Sequence, residues 1–386
     1  MVKWKSDADR LASEVTHPIS RWRPAVGAVP RHLFVPRWWI SNGPGGGLGL
    51  VSWELRDGSA DPEAWIDAAY RDQPLVTRIG SLHADHAAPD ARPAGRPTSS
   101  AIAPGVIVRM LRYARLPDDA DVLEVGTGTG YGAAVLCERA GYRQVTTIEP
   151  DEYLVKAAGE RLAGIGLHPR VTRGDPDGPL PDRYDRIVSK VPVRPVPAGW
   201  LAALRPGGRL VTPIAGTTLI LTADQTPDGG AAGRIEWDRT VVVPAVAAPE
   251  VPEAQLAAVR TADGDEVTTG RYPVVDVARA WDLHSVLGLV APGIQPEFAA
   301  SAGGERTAWL VHPDGSWARA TGTGDGPPVV HQSGPRRLWD ILDGIRLSWL
   351  RDGSLPAYGA AATITPDGTI HLRHASWQAT LPAQAS

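Results

Sequence analysis

An α/β fold on a doubly wound, mostly parallel sheet is predicted for the middle of this chain, with an added segment before it and an α+β extension after it. Three observations carry that prediction. Between residues 100 and 215, short apolar strand-like runs alternate with helix-like ones, the pattern that builds parallel sheets. The stretch Val122-Leu-Glu-Val-Gly-Thr-Gly-Thr-Gly130 carries an apolar strand through three glycines into a helix. Beyond about residue 215 the texture changes to strand runs broken by Pro-Asp-Gly turns.

The elements follow in order. A helix fits residues 7–15, and the run Val29-Pro-Arg-His-Leu-Phe-Val-Pro36 comes after it. Ser41-Asn-Gly-Pro-Gly-Gly-Gly-Leu48 is a loop on composition. Residues 62–80 form an ordered piece around Trp65 and Tyr70, and 83–98, rich in Ala, Pro, Arg and Asp, reads as a mobile loop. A helix is predicted over 104–113, where Val106, Ile107, Met110 and Leu111 keep three-to-four spacing. Strands follow at 121–125, 144–148, 170–173, 184–189 and 209–213, with helices at 131–139, 154–165 and 199–204. In the extension, Thr226-Pro-Asp-Gly229, His312-Pro-Asp-Gly315 and Thr365-Pro-Asp-Gly368 predict hairpins, and Leu338, Ile341, Leu342 and Ile345 share one face of a helix over 335–349. The expected units are therefore 1–100, 101–215 and 216–386.

Composition narrows the function. With 43% hydrophobic residues in a chain of 386, a sizeable core is expected. The formal net charge of −4 and the lack of a long basic run argue against nucleic acid as a partner. A single cysteine, Cys137, excludes an intrachain disulfide framework and fits a reducing cytosol. The start Met1-Val-Lys-Trp-Lys-Ser-Asp has no signal-peptide stretch, and no run is long enough for a membrane span. The expectation is a soluble, cytoplasmic monomer without membrane partners.

The chemistry concentrates in four elements. Gly126, Gly128 and Gly130, with Thr127 among them, make a G-x-G-x-G turn that lets a ligand approach the backbone. The spacing differs from the dinucleotide G-x-G-x-x-G, and Glu124 inside the strand suits a ligand without a pyrophosphate. Glu149 closes the next strand nineteen positions after Gly130, where a carboxylate can accept both hydroxyls of a ribose. Asp175, in Arg173-Gly-Asp-Pro-Asp-Gly178, can hold an adenine amino group, and Leu204-Arg-Pro-Gly-Gly-Arg-Leu-Val211 turns into a late strand. Each alone has a bland reading: a structural turn, a carboxylate at a helix N-terminus, an ordinary loop residue. In this order and spacing they resemble the class I, Rossmann-like methyltransferases, which implies S-adenosyl-L-methionine as cofactor.

The flanks narrow the resemblance. Val29-Pro-Arg-His-Leu-Phe-Val-Pro36, Tyr70-Arg-Asp-Gln-Pro-Leu75, Glu124-Val-Gly-Thr-Gly-Thr-Gly-Tyr-Gly-Ala-Ala134, Tyr184-Asp-Arg-Ile187 and Arg205-Pro-Gly-Gly-Arg-Leu-Val-Thr-Pro213 resemble the protein L-isoaspartyl O-methyltransferase family over roughly residues 10–215. Pro97-Thr-Ser-Ser100, Leu136-Cys137 and the Trp-rich extension look like a subfamily encoded with ribosomally made peptides, beside ATP-grasp ligases (graspetides) or lanthipeptide synthetases. That likeness implies methylation of an aspartate side chain in a precursor peptide, the ester then closing to an aspartimide or rearranging to isoaspartate. It also implies Ser99 and Ser100 as catalytic hydroxyls, with Ser100 also at the cofactor, and Thr98, Ser99 and His83 at the substrate. The bland reading of the hydroxyl trio is a solvated loop ahead of the helix. One position departs from the family pattern: Ile102 stands where a hydroxyl residue is expected, two places before Pro104.

Three alternatives stay open beside the peptide reading: L-isoaspartate repair with an appended domain, a non-catalytic adenosyl-binding scaffold, and methylation of a small carboxylate. His83-Ala-Asp-His86 offers three metal-ligand types, but no helix aims all three at one ion, so the stretch is read as a cover over the site and no metal is expected. Trp38, Trp39 and Trp53, beside the Gly-rich break, are candidate contact aromatics. Cys137 reads as core.

Overall fold

Strand pairing, invisible to composition, orders much of the N-terminal region. A computed structural model describes residues 3–42, 51–239, 251 and 253–383. Helices α1 (Lys5–Val15), α2 (Arg23–Ala28) and α3 (Arg31–Phe34) precede strands β1 (Arg37–Ser41) and β2 (Trp53–Asp57). Helix α4 (Pro62–Ala69) starts where the Asp61 carboxylate accepts the Ala64 N–H. Strands β3 (Leu75–Ile79), β4 (Leu82–His83) and β5 (Pro97–Ala101) complete an antiparallel sheet in the order β2-β1-β3-β4, with β5 also on β3.

Two expectations are corrected here. The stretch 83–98 is not a structureless loop: Ala84–His86 is a 3₁₀ turn, and β5 begins at Pro97, its backbone held by the register Val76↔Ser100 and Leu75↔Ala101. Trp38, Trp39 and Trp53 are not loop aromatics: they lie on β1 and β2 and are only 4%, 2% and 9% exposed. The Gly-rich loop expected over 41–48 falls, from residue 43 on, outside the described residues.

Helix α5 (Pro104–Tyr113) opens with proline at its first turn, where a missing N–H costs nothing. The α/β alternation then runs β6 (Val122–Val125), α6 (Tyr131–Ala140), β7 (Val145–Glu149), α7 (Glu152–Ala163), β8 (Arg170–Arg173), β9 (Tyr184–Ser189), α8 (Ala198–Ala203), β10 (Leu204–Pro213), β11 (Leu219–Gln225) and β12 (Ala231–Arg239). The strand order β8-β7-β6-β9-β10 is parallel throughout, and β11 and β12 add antiparallel. This is the Rossmann-like class I methyltransferase fold. Alternation along the strands divides the core in two. Val122, Val188, Val211 and Ile220 face α5, α6 and the N-terminal helices, whereas Leu123, Val125, Ile187, Leu210 and Leu221 face the other way.

The second face is covered by the extension. Helix α9 (Glu253–Val259), strand β13 (Glu266–Thr269), helix α10 (Trp281–Val290), strands β14 (Gln295–Ala300), β15 (Glu305–Val311), β16 (Trp317–Thr323) and β17 (Val329–Ser333) and helix α11 (Leu338–Asp352) follow, and β13–β17 form an antiparallel sheet in the order β13-β17-β16-β15-β14. Strands β18 (Ala361–Ile364), β19 (Ile370–His374) and β20 (Trp377–Leu381) then return to the central sheet beside β12, making it ten-stranded. Leu283, Leu287, Leu310, Val330, Leu338 and Leu342 share one core with Leu123 and Leu210. The three Pro-Asp-Gly segments join β11 to β12, β15 to β16 and β18 to β19, each ending on a glycine with φ of 85, 88 or 91°. Among the described residues no helix is long and apolar enough to cross a membrane.

Candidate active site

The strand order reverses beside β6: the chain steps from β6 to β7 and β8 on one side, and from β9 to β10 on the other. Such a switch point leaves a crevice beyond the carboxyl ends of the strands. The turn that leaves β6 there has Gly126, Gly128 and Gly130 at φ of 86, 53 and 95°, a region that side chains disfavour. A Cβ on Gly126 would lie 2.8 Å from Val191 Cγ2, and one on Gly130 3.1 Å from Ala158 Cβ and 3.4 Å from Phe34 Cδ1. At Gly128 nothing lies within 4 Å. Two of the glycines are therefore demanded by packing, and the middle one opens a cradle. The N–H groups of Gly126 and Thr127 donate to the Ile148 carbonyl at 2.9 and 3.1 Å, fastening the turn to β7.

Two buried carboxylates border the turn. Glu124, 2% exposed, accepts the Thr147 hydroxyl at 2.8 Å and pairs with Lys190 Nζ at 2.9 Å. Thr147 also bonds the Thr127 hydroxyl at 2.7 Å. Gly132 leaves room for this pair, since a Cβ there would stand 2.2 Å from Glu124 Oε1 and 2.9 Å from Lys190 Nζ. The Cys137 thiol is pushed up to about 12 by burial, with the charge of Glu124 adding to it, and is inert core. Glu149, 8% exposed, accepts the Gly128 N–H at 2.9 Å and the Asp151 N–H at 3.4 Å. Burial raises its carboxyl above the usual range, against the pull of those two N–H groups and of Lys190. The Glu149 carbonyl accepts the Gly174 N–H at 3.2 Å, which brings the 174–178 loop to the crevice. In that loop Asp175 is exposed and its Oδ1 accepts the Asp177 N–H at 3.0 Å.

The hydroxyl trio sits on a strand, not in a loop. Thr98 donates to the Gly80 carbonyl at 2.6 Å and Ser99 bonds the Thr77 hydroxyl at 3.2 Å. Ser100 is half-buried, and its hydroxyl has no partner among the described residues. Ile102 packs at the edge of the N-terminal core, and its carbonyl accepts Arg31 Nη2 at 3.3 Å. Arg31, fully buried, also binds the carbonyls of Ala69, Arg71 and Gln73. Arg78 lies opposite His83 on one side and Ser99 on the other, and its guanidinium bonds Asp151, the N-cap of α7. His83 is 4% exposed, packs 5.1 Å from the Tyr153 ring, and is held down to about 4 by burial. Asp85 receives Arg161 at 2.6 Å and the Tyr153 hydroxyl. No group of three metal-binding side chains occurs among the described residues.

The family described as Protein-L-isoaspartate(D-aspartate) O-methyltransferase matches residues 62–247. Protein-L-isoaspartate O-methyltransferase 1 of Nitrosospira multiformis is 31% identical over 195 residues, 49% of this chain and 74% of that protein. The Protein-L-isoaspartate O-methyltransferase of Ignicoccus hospitalis is 34% identical over 212 residues, 53% of this chain and 80% of that one. The chain belongs to the protein-L-isoaspartate O-methyltransferase family. A solved structure of a protein-L-isoaspartate O-methyltransferase aligns over 96% of this chain and 99% of its own at 16% identity, with a TM-score of 0.49.

As a member of the family, the protein is an S-adenosyl-L-methionine-dependent carboxyl O-methyltransferase. The residues present fit that donor: an open glycine cradle at Gly128 with a buried acidic acceptor, Glu149, beside it. Four residues that border the turn and its carboxylates were assigned no role from sequence: Lys190, Thr147, Gly132 and Arg78. Their roles arise across strands and helices, so no spacing along the chain announces them. The one signal was a lysine closing the strand after Tyr184-Asp-Arg-Ile187, next to the strand that carries Glu124.

Proposed function

We propose that this protein methylates the free α-carboxylate of an L-isoaspartyl residue in a polypeptide. The observation that supports it is the family match over residues 62–247, which takes in the glycine turn, both carboxylates and the hydroxyl-bearing strand together. When bound, S-adenosyl-L-methionine supplies a methyl group on a sulfonium. In this reading Gly126, Thr127, Gly128 and Gly130 carry the donor's backbone contacts, with Glu124 behind the turn, Glu149 at the ribose and Asp175 at the adenine. Ser100 orients the acceptor carboxylate, Ser99 supports it from beside Thr77, and Thr98 and His83 belong to the substrate side. A carboxylate is already ionised at neutral pH, so no strong base is needed. What the residues contribute is alignment, an effect of up to about 7–11 kcal/mol where geometry is well held. The test is methyl incorporation into an isoaspartyl peptide against its aspartyl twin. Preference for the isoaspartyl peptide is expected, and equal labelling of both, or of neither, refutes the reading.

A second reading has its own observation. Residues 248–386 lie beyond the family match, yet α10 accepts Arg194 at the Gly288 and Leu289 carbonyls, 2.7 and 3.1 Å away, and Glu297 of β14 pairs with Arg96, the residue just before the hydroxyl strand. An extension seated on the loop after β9 and on the approach to β5 suits a larger acceptor, such as an aspartate in a macrocyclised ribosomal peptide whose ester then closes to an imide. On this reading 1–100 and 216–386 serve the substrate, while 101–215 holds the donor. Presenting a cyclised aspartyl peptide in the same assay separates the two. Labelling of the cyclised peptide alone supports the second, and turnover of either kind excludes a non-catalytic scaffold.

A further inference from the structure

We propose that Lys190 is a positioning residue for the methyl donor, a buried ammonium that braces the glycine turn and pairs with the carboxylate behind it. It is the first residue after β9, at the switch point between β6 and β9. Its N–H donates to the Val125 carbonyl at 2.9 Å, and its Nζ reaches the Glu124 carboxylate at 2.9 Å and the Thr127 carbonyl at 3.2 Å. The side chain is only 10% exposed. Its neighbour Val191 packs on Gly126, whose missing Cβ makes that approach possible. One side chain therefore ties the end of β9 to the strand before the turn and to the carbonyl within it.

The electrostatics point the same way. Two carboxylates, 2% and 8% exposed, border one turn, and buried acids without a nearby cation prefer their neutral forms. Glu124 faces Thr147 from β7, Cys137 from α6 and Lys190 from the end of β9. Glu149 faces the Gly128 N–H, Lys190 and Asp151, and Asp151 is itself neutralised by Arg78 of β3. Lys190 is thus a cation that draws the Glu149 carboxyl down against its burial, and an ionised Glu149 is the form that accepts two ribose hydroxyls.

Binding of S-adenosyl-L-homocysteine to the full chain by calorimetry, from about pH 6 to about pH 8.5, tests this with no methyl acceptor present. Its outcome is therefore independent of which peptide is methylated. Lys190→Met is expected to weaken binding about tenfold or more at neutral pH. The loss should shrink as pH rises, because Glu149 then ionises without help. Lys190→Arg keeps the charge and should hold affinity within about threefold. A purely structural lysine predicts otherwise: Lys190→Met with a lower melting temperature but the wild-type affinity and pH profile, which overturns the proposal. If Lys190→Met does not fold, Glu124→Gln combined with Lys190→Met removes both charges of the buried pair, a change proteins tolerate. Compared with Glu124→Gln alone, the double variant should lose affinity toward acidic pH, and coincident profiles overturn the proposal.

Discussion

Glu149→Ala gives the sharpest test of how the donor site is built. In the wild type, Glu149 Oε2 takes the Gly128 N–H at 2.9 Å, while the Asp151 N–H stands at 3.4 Å, the limit of a useful bond. On stability the terms oppose each other. A hydrogen bond to a charged group contributes about 1.5–3 kcal/mol, but removing the carboxylate also relieves the burial that raises its pKa. The net change in unfolding free energy should be about 1 kcal/mol. Binding has no such offset, because the ribose hydroxyls lose an acceptor that only Glu149 provides in this reading. Losing about 1.5–3 kcal/mol corresponds to roughly 10- to 100-fold weaker affinity. Glu149→Gln keeps an acceptor for Gly128 and should fall between. The assay is calorimetric titration with S-adenosyl-L-homocysteine beside a melting curve. A folded Glu149→Ala variant that binds within about twofold of wild type would sink the assignment.

Other outcomes follow from the same geometry. Gly132→Ala should destabilise by about 1–3 kcal/mol in chemical denaturation, since its Cβ must displace the Glu124–Lys190 pair from 2.2 and 2.9 Å; an unchanged midpoint contradicts the packing. Ser100→Ala should lower kcat/KM for the peptide about 10- to 100-fold, whereas Ser99→Ala, whose hydroxyl is engaged with Thr77, should cost about threefold or less; the reverse order would exchange their roles. His32 and His83 are both lowered from 6.5 to about 4 by burial, so the unfolded chain binds more protons between those values. Stability should therefore be full above about pH 6.5 and fall as the pH drops toward 4; a flat melting temperature across that window refutes it.

The legible and illegible parts of this protein divide along a physical line. Periodicity and turn chemistry are local, and they gave helix α5 with its bounds, the parallel strands β6 to β10 within a few residues, and all three Pro-Asp-Gly connections. The glycine turn and Glu149 were legible for the same reason, since a strand, a turn and a strand-end carboxylate are consecutive features. Strand β5 was not, because Pro97-Thr-Ser-Ser-Ala101 has weak strand propensity and becomes a strand only through pairing with β3. The buried tryptophans of β1 and β2 were misjudged as loop residues because a Gly-rich break adjoins them. Trp39 and Trp53 cluster with Leu55, Ile79 and Ala84 from chain segments some forty residues apart, while Trp38 packs into the N-terminal core.

Placing the hydroxyls on a strand has a consequence for the chemistry. Transfer to a carboxylate depends on alignment, and a misplacement of about 1 Å can cost about a hundredfold in rate. Groups on sheet strands are held more tightly than groups on loops. Strand β5 takes its register from β3, and β3 is anchored to the donor side by Arg78, whose guanidinium bonds the Asp151 carboxylate two residues past Glu149. Burial is the largest single influence on the Asp151 carboxyl and raises it, but the bond and charge of Arg78 together with the Leu154 and Tyr153 N–H groups leave it below the usual range, so the anchor stays ionised through neutral pH. With both partners 25% exposed, the pair contributes modestly to stability. Its value is positional: it fixes the distance between the proposed ribose acceptor and the proposed acceptor-binding strand, which reside on different sheets and share no backbone pairing.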